Sequence, residues 1–176
     1  FASAVILDKP QSLTEIDAIR SHSTEEKIEI AIVILYGETV LLTTGSGDEI
    51  LASPAARKVL EKAFFAAHTH ASPGSKEGPS GPDRDAAGVR THYVLTRVSA
   101  YAYDETGILQ TGSLDWFAGK YLDAFRAGES DRDEKEAREE LNLLIAEQDR
   151  LNLAGDKKED FHLWLAGDDS VPAISP

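Results

Sequence analysis

The stretch Lys27 to Tyr36, KIEIAIVILY, limits the possible folds more than any other part of the chain. It is rich in β-branched residues, and from Ile30 to Leu35 it is apolar throughout instead of alternating, the pattern of a strand buried on both faces. Gly37-Glu38 then separates it from Thr39 to Thr44, TVLLTT, which predicts a β-hairpin with a tight turn. A strand covered on both sides needs partners above and below the sheet, so the chain is read as α/β (α+β): a mixed central sheet flanked by helices. Glu29 is the one acid that interrupts the apolar pattern, at the mouth of this strand.

The elements around the hairpin follow from local signals. Ala4 to Leu7 is a short apolar run ended by Pro10, and Ser12-Leu13-Thr14-Glu15 has the form of a capping box opening a helix to about His22. Leu13, Ile16 and Ile19 give that helix its apolar face, and His22 at its end suits the helix dipole. Gly45-Ser46-Gly47-Asp48 reads as a loop, Ser53-Pro54 as a helix opening, and the helix as running to about Ala63 with Val59 and Leu60 inside. Phe64 to Ala67 then leads into His68-Thr69-His70 at the far end of a core strand.

The glycines and prolines between Ala71 and Pro82 predict loop, with a short helix from Asp83 to Val89. His92 to Tyr103 reads as one strand, Asp104 to Gly107 as a turn, and Ile108-Leu109 as the returning strand of a second hairpin. Ser113 caps a helix with Leu114, Phe117, Tyr121, Leu122 and Phe125 on one face, stopped by Gly128. A charged helix from about Asp131 to Leu153 follows, with Ala137, Leu141, Leu144, Ile145 and Gln148 along one side and Gly155 beyond it. Phe161, Leu163, Trp164 and Leu165 form an apolar patch expected to dock on the core, ahead of a loose end containing Pro. The division expected is a core over 1–112 and a helical C-terminal extension over 113–176, packed on that core.

Composition narrows the partners. A formal net charge of -13 disfavours nucleic acid, whose phosphates need a basic patch, and favours a basic partner. No apolar run approaches the roughly 18 residues of a membrane span, so a soluble protein is expected. With no Cys, a transition metal has to be held by His and carboxylate. The chain also contains no Met, which leads to the expectation that it was cut from a longer polypeptide, and no signal peptide is visible.

Two His at i, i+2 on a strand point to one face and can reach a single ion. The loop after His70 ends in Pro79-Ser80-Gly81-Pro82-Asp83, which offers a hydroxyl and a carboxylate; a third ligand from there leaves one zinc position open for water. His22, His92 and His162 lack partners at ligand spacing and read as structural.

An early strand acid, His-x-His, then a Ser and an Asp separated by two residues is the order in which this sequence resembles the JAMM metalloprotease family, also called the JAB or MPN-plus domain. The matching residues are Glu29, His68-Thr69-His70, Ser80 and Asp83, and the resemblance covers roughly residues 12 to 110. It departs from the family in having Ala71 where Pro is usual, and in a longer gap between His70 and Ser80. The resemblance implies an MPN/JAB-like sheet and a zinc metallopeptidase or isopeptidase. His68, His70 and Asp83 would bind Zn²⁺, Glu29 would be the general base and Ser80 the oxyanion donor. The substrate would be a protein or peptide, a ubiquitin-like tail among the candidates. Asp85 is an alternative to Asp83, Ser72 and Ser75 are weaker alternatives to Ser80, and Glu25, Glu26 and Glu38 compete with Glu29.

Three other readings stand beside this one. His-Thr-His also opens the metal motif of PHP phosphoesterases and amidohydrolases, but those are barrels of roughly 250 residues, and only 106 residues follow His70 here. A non-catalytic MPN-like module would bind a partner. The short core also looks like JAMM-type domains at the ends of bacterial polymorphic toxins, with an immunity protein as partner. The location then lies between the bacterial cytoplasm and an exported module of a larger chain.

Overall fold

The computed structural model describes residues 3–45, 54–71, 78–151 and 159–166. Within them the chain is mixed α/β, with a seven-stranded mixed sheet and six helices. The elements run β1 (Ser3–Ile6), α1 (Leu13–Glu26), β2 (Ala31–Leu35), β3 (Glu38–Thr43), α2 (Pro54–Lys62), β4 (Phe65–Thr69) and α3 (Gly81–Ala87). They continue with β5 (His92–Leu95), β6 (Ala100–Asp104), β7 (Gly107–Gly112), α4 (Leu114–Ala127), α5 (Glu134–Leu151) and α6 (Phe161–Leu165). The strand order is β1-β3-β2-β4-β5-β6-β7, antiparallel except for β4 beside β5.

Why β2 is apolar at every position is visible in where its side chains go. Ile32 and Ile34 enter a core built with Ile16 and Ile19 of α1, Phe117, Tyr121 and Phe125 of α4, and Phe161 of α6. Ala31, Val33 and Leu35 enter a second core on the opposite face, with Val59 and Leu60 of α2 and Leu141 and Leu144 of α5. Helices thus cover both faces, and each fully buried Ile or Leu stabilises the fold by about 1.5–3 kcal/mol. The segment beyond residue 112 contributes to both cores through α4, α5 and α6. Lys58 and Lys62 of α2 pair with Glu147 and Glu140, so part of the charged face of α5 is used against α2.

The hairpin is present, one residue away from where it was expected. The turn is Tyr36-Gly37, both at positive φ (49° and 75°), and Glu38 already pairs with Leu35. This is the handedness that two-residue hairpin loops require. Gly37 has a second reason to be glycine, because a β-carbon there would lie 2.5 Å from the Arg132 backbone.

Several boundaries differ from the sequence expectation. α1 does not end at His22 but runs to Glu26, and Lys27 closes it in the left-handed region. His22 is therefore inside the helix, where its Nε2 lies 3.1 Å from Glu159 and its ring stacks on Trp164 at 4.3 Å, fastening α6. The stretch His92 to Tyr103 is two strands, since Thr96 folds back on Ser99 in a tight turn. The predicted loop up to Pro82 ends sooner, because α3 starts at Gly81 with Pro82 in its first turn, where a missing N–H costs nothing. The charged helix starts at Glu134, behind a short 3-10 turn over Glu129–Asp131. Phe161 is buried as expected, while Leu163 and Leu165 are exposed. Residues 46–48, Ser53, Gly155 and the chain end lie outside the described residues. Among the described residues no helix is long and apolar enough to cross a membrane.

Candidate metal centre

β4 carries His68, and His70 follows one residue past the strand's end. Its antiparallel register with β2 pairs Ala31 with His68, and continuing that register by two residues sets Glu29 across from His70. The acid at the mouth of the apolar strand is thus delivered to the histidines by strand pairing. Thr69, between them, points to the other face and locks the strand end. Its hydroxyl accepts Ile30 N–H at 2.9 Å and meets Ser23 Oγ at 2.6 Å, and Ser23 in turn donates to Ile28 O at 2.7 Å. Since Ser23 spends its proton on the carbonyl, Thr69 is the donor between the two hydroxyls. Thr43 Oγ1 donates to Glu29 O at 2.6 Å and fixes the backbone of the acid. Ser23 and Thr43 carry no sequence signal for this role; they read as ordinary helix and strand residues.

α3 delivers the rest. Ser80 is its N-cap and Asp83 its third residue: Ser80 Oγ accepts Asp83 N–H at 3.2 Å, and Asp83 Oδ2 accepts Ser80 N–H at 2.9 Å. The Ser-x-x-Asp spacing that the sequence offers as a chemical motif is thus also a helix capping box. It leaves the Ser80 hydroxyl proton available for donation.

Three side chains converge. His68 Nε2 and His70 Nε2 are 3.1 Å apart, His70 Nε2 is 3.1 Å from Asp83 Oδ2, and His68 Nε2 is 3.4 Å from Asp83 Oδ1. A tetrahedral ion with ligands at about 2.0–2.1 Å holds them about 3.3–3.4 Å apart, so the triangle has the dimensions of a ligand set. Hydrogen bonding alone fits it less well, because each Nε2 offers a single proton or a single lone pair to two neighbours. Glu29, His68 and His70 also bring ligand atoms within 4.8 Å of one another. The residues therefore form a group that could bind a metal ion, and two imidazoles with carboxylate suit zinc and other first-row divalent ions.

Burial and charge support the same description. His68 is 1% exposed, and Glu29 and Asp83 are each 7% exposed. Burial raises the Asp83 pKa, but the His68 charge, hydrogen bonds to both histidines and the Ser80 N–H outweigh it and hold the carboxyl well below its ordinary range. Beside these side chains lies a second polar layer formed by His92 and Tyr103. Tyr103 stands edge-on to both His68 and His92, at 6.5 and 6.1 Å between ring centroids. Both ring nitrogens of His92 and the Tyr103 hydroxyl are buried without a hydrogen-bond partner in the protein. Burial, then the charges of Asp83 and Glu29, push the Tyr103 phenol up.

The competing residues fall elsewhere. Asp85 is exposed and lines a cavity of about 460 Å³ between α2 and α3, with Arg57, Arg90 and His92, that does not include the His pair. Glu38 is buried at the other end of the hairpin, where it pairs with Arg132. Glu25 is exposed, Glu26 ends α1, and Ser72 and Ser75 lie outside the described residues. Comparison with protein-family models, with curated proteins and with solved structures found no match for this chain.

Proposed function

We propose that this chain is a zinc-dependent metallopeptidase or isopeptidase of the JAMM type, on an MPN/JAB-like sheet. The observation that carries the reading is the triangle of His68, His70 and Asp83 with Glu29 brought across from His70 by strand register. His68, His70 and Asp83 would hold the ion. Zinc bound there supplies Lewis acidity and lowers the pKa of a coordinated water to about 7. Glu29 accepts a proton as water attacks the amide carbonyl and returns it to the leaving amine. Ser80, its oxygen already accepting Asp83 N–H, donates its hydroxyl proton to the oxyanion of the tetrahedral intermediate. The burial of Glu29 and Asp83 strengthens each of these interactions relative to water.

Metal analysis of the purified chain tests this directly. About one zinc per chain is expected, and His68→Ala should weaken zinc binding. Peptide hydrolysis that a chelator stops and zinc restores completes the expected result. A chain that takes up no divalent metal, or a His68→Ala chain that binds it unchanged, overturns the proposal. Metal binding without hydrolysis of any peptide or isopeptide would instead support a non-catalytic module.

A further inference from the structure

The two outer strands of the sheet are treated differently. β1 is covered: α6 packs on it, and Phe161 N–H donates to Ser3 Oγ at 3.0 Å. β7 is the last strand at the other side, and among the described residues none pairs with its outer edge. Its sequence, GILQTG, contains no charge and no proline, although open edges are ordinarily protected by lysine, proline or a covering segment. Ile108 and Leu109 are 53% and 50% exposed at that edge. The irregularity in its pairing with β6 lies beside Leu109 and leaves Gln110 to Gly112 in register with Ala102 to Ala100.

The chain on either side of this strand is acidic. From Val98 to Gly119 it has Asp104, Glu105 and Asp115, and the nearest cations in sequence are Arg97 and Lys120. Asp104 lies in the β6–β7 turn, where it accepts bonds from Thr106, and Asp115 is exposed at the start of α4 just beyond β7. Acids thus flank both ends of an uncharged strand. Ile108 of β7 lies against Gly78, two residues before Ser80, where a β-carbon would meet Ile108 Cδ1 at 3.4 Å.

We propose that β7 is a docking edge for an extended basic peptide, which adds to the sheet as a further strand beside it. Main-chain hydrogen bonds along Ile108 to Thr111 supply affinity, and lysine or arginine side chains reach the acids at either end. A second copy of this chain fits the same edge poorly, because it would set three acids against three and bring two chains of net charge -13 together. That the bound peptide is a substrate rests on the peptidase reading; that it binds does not.

The test is amide hydrogen exchange on the full chain with a synthetic ten-residue peptide of alternating lysine and valine, and with its glutamate–valine counterpart. The lysine peptide should protect amides within Ile108 to Gly112, equally with and without a chelator, and the glutamate peptide should not. Leu109→Lys should weaken binding of the lysine peptide about tenfold, and Glu105→Gln with Asp115→Asn roughly threefold with a flatter salt dependence. Both variants change exposed side chains and leave the cores intact. No protection at β7, equal protection by both peptides, or β7 protection that grows with protein concentration alone overturns the proposal. Because hydrolysis is never measured, failure of the metal reading does not alter these outcomes.

Discussion

Two helices of this protein begin with the same four-residue device. At α1, Ser12 Oγ accepts Glu15 N–H at 3.2 Å and Glu15 Oε1 accepts Ser12 N–H at 2.9 Å; at α3, Ser80 and Asp83 repeat both bonds at the same two distances. What the acids meet next is different. Glu15 reaches Lys9 on the exposed surface at 3.2 Å, whereas Asp83 is buried against two imidazoles. Helix capping therefore accounts for the Ser-x-x-acid spacing at both places and says nothing about metal at either. What sets the second box apart comes from β4, whose end aims His68 and His70 at the capping acid. Motif spacing locates the helix start, and convergence with a second element marks the site.

A parallel contrast lies on the β2–β3 hairpin, which buries a glutamate at each end, and it yields the largest expected effect. Glu38 is neutralised by Arg132, an ordinary remedy for a charge taken out of water. Glu29 faces the two histidines instead. Under the proposed peptidase function, Glu29→Gln should reduce hydrolysis by about 10²–10⁴ while zinc content stays unchanged. Glu38→Gln should leave both unchanged and lower the melting temperature by a few degrees. Kinetics, metal analysis and a thermal melt on the two variants separate them. Equal loss of activity in both would mean that the hairpin, and not Glu29, is what activity requires.

The two caps give the next effect in size. Ser12→Ala and Ser80→Ala each remove one cap and should each cost about 0.5–2 kcal/mol of stability. Under the proposed peptidase function, only Ser80→Ala should also lower kcat, by about 10²–10³, through loss of its hydrogen bond to the oxyanion. Urea unfolding and steady-state kinetics on both variants make the comparison. If Ser80→Ala loses stability alone, the second box is a cap and nothing more.

Much of the fold was legible because its signals are local or periodic. The unbroken apolar run Ile30 to Leu35 required a covered central strand, and the caps at Ser12 and Ser113 marked helix starts that the structure keeps. What could not be read were breaks inside continuous patterns. Thr96 to Ser99 has strand-like composition, and the chain turns there on Thr96, whose N–H donates to Ser99 O and whose hydroxyl accepts Val98 and Ser99 N–H. At the site, the His pair could be read from i, i+2 spacing. Putting Glu29 across from His70 required the β2–β4 register, which joins elements separated by α2. Ser23 and Thr69 were invisible for the same reason: a hydroxyl bridge between α1 and β4 has no signature in either segment.

A last effect concerns what lies beside Asp83, a layer with no counterpart at Ser12. His92 is 2% exposed, its ring nitrogens lack partners, and burial, then the charges of Arg90 and His68, push its pKa down to about 4 against the pull of Asp83. The unfolded chain binds a proton on this ring near pH 6.5, while the folded chain refuses it until about pH 4. More protons on the unfolded state mean that stability is fully present above pH 6.5 and is lost as pH falls through this window, by about 3 kcal/mol at the lower end. His92→Phe removes the proton from both states, so its stability should fall less between pH 7 and pH 4 by that amount. Urea unfolding of both chains with a chelator present isolates the ring, since every other group titrates in both. Identical pH slopes would mean that His92 takes up its proton in the folded chain, and that the polar layer beside Asp83 is open to water, as the Ser12 box is.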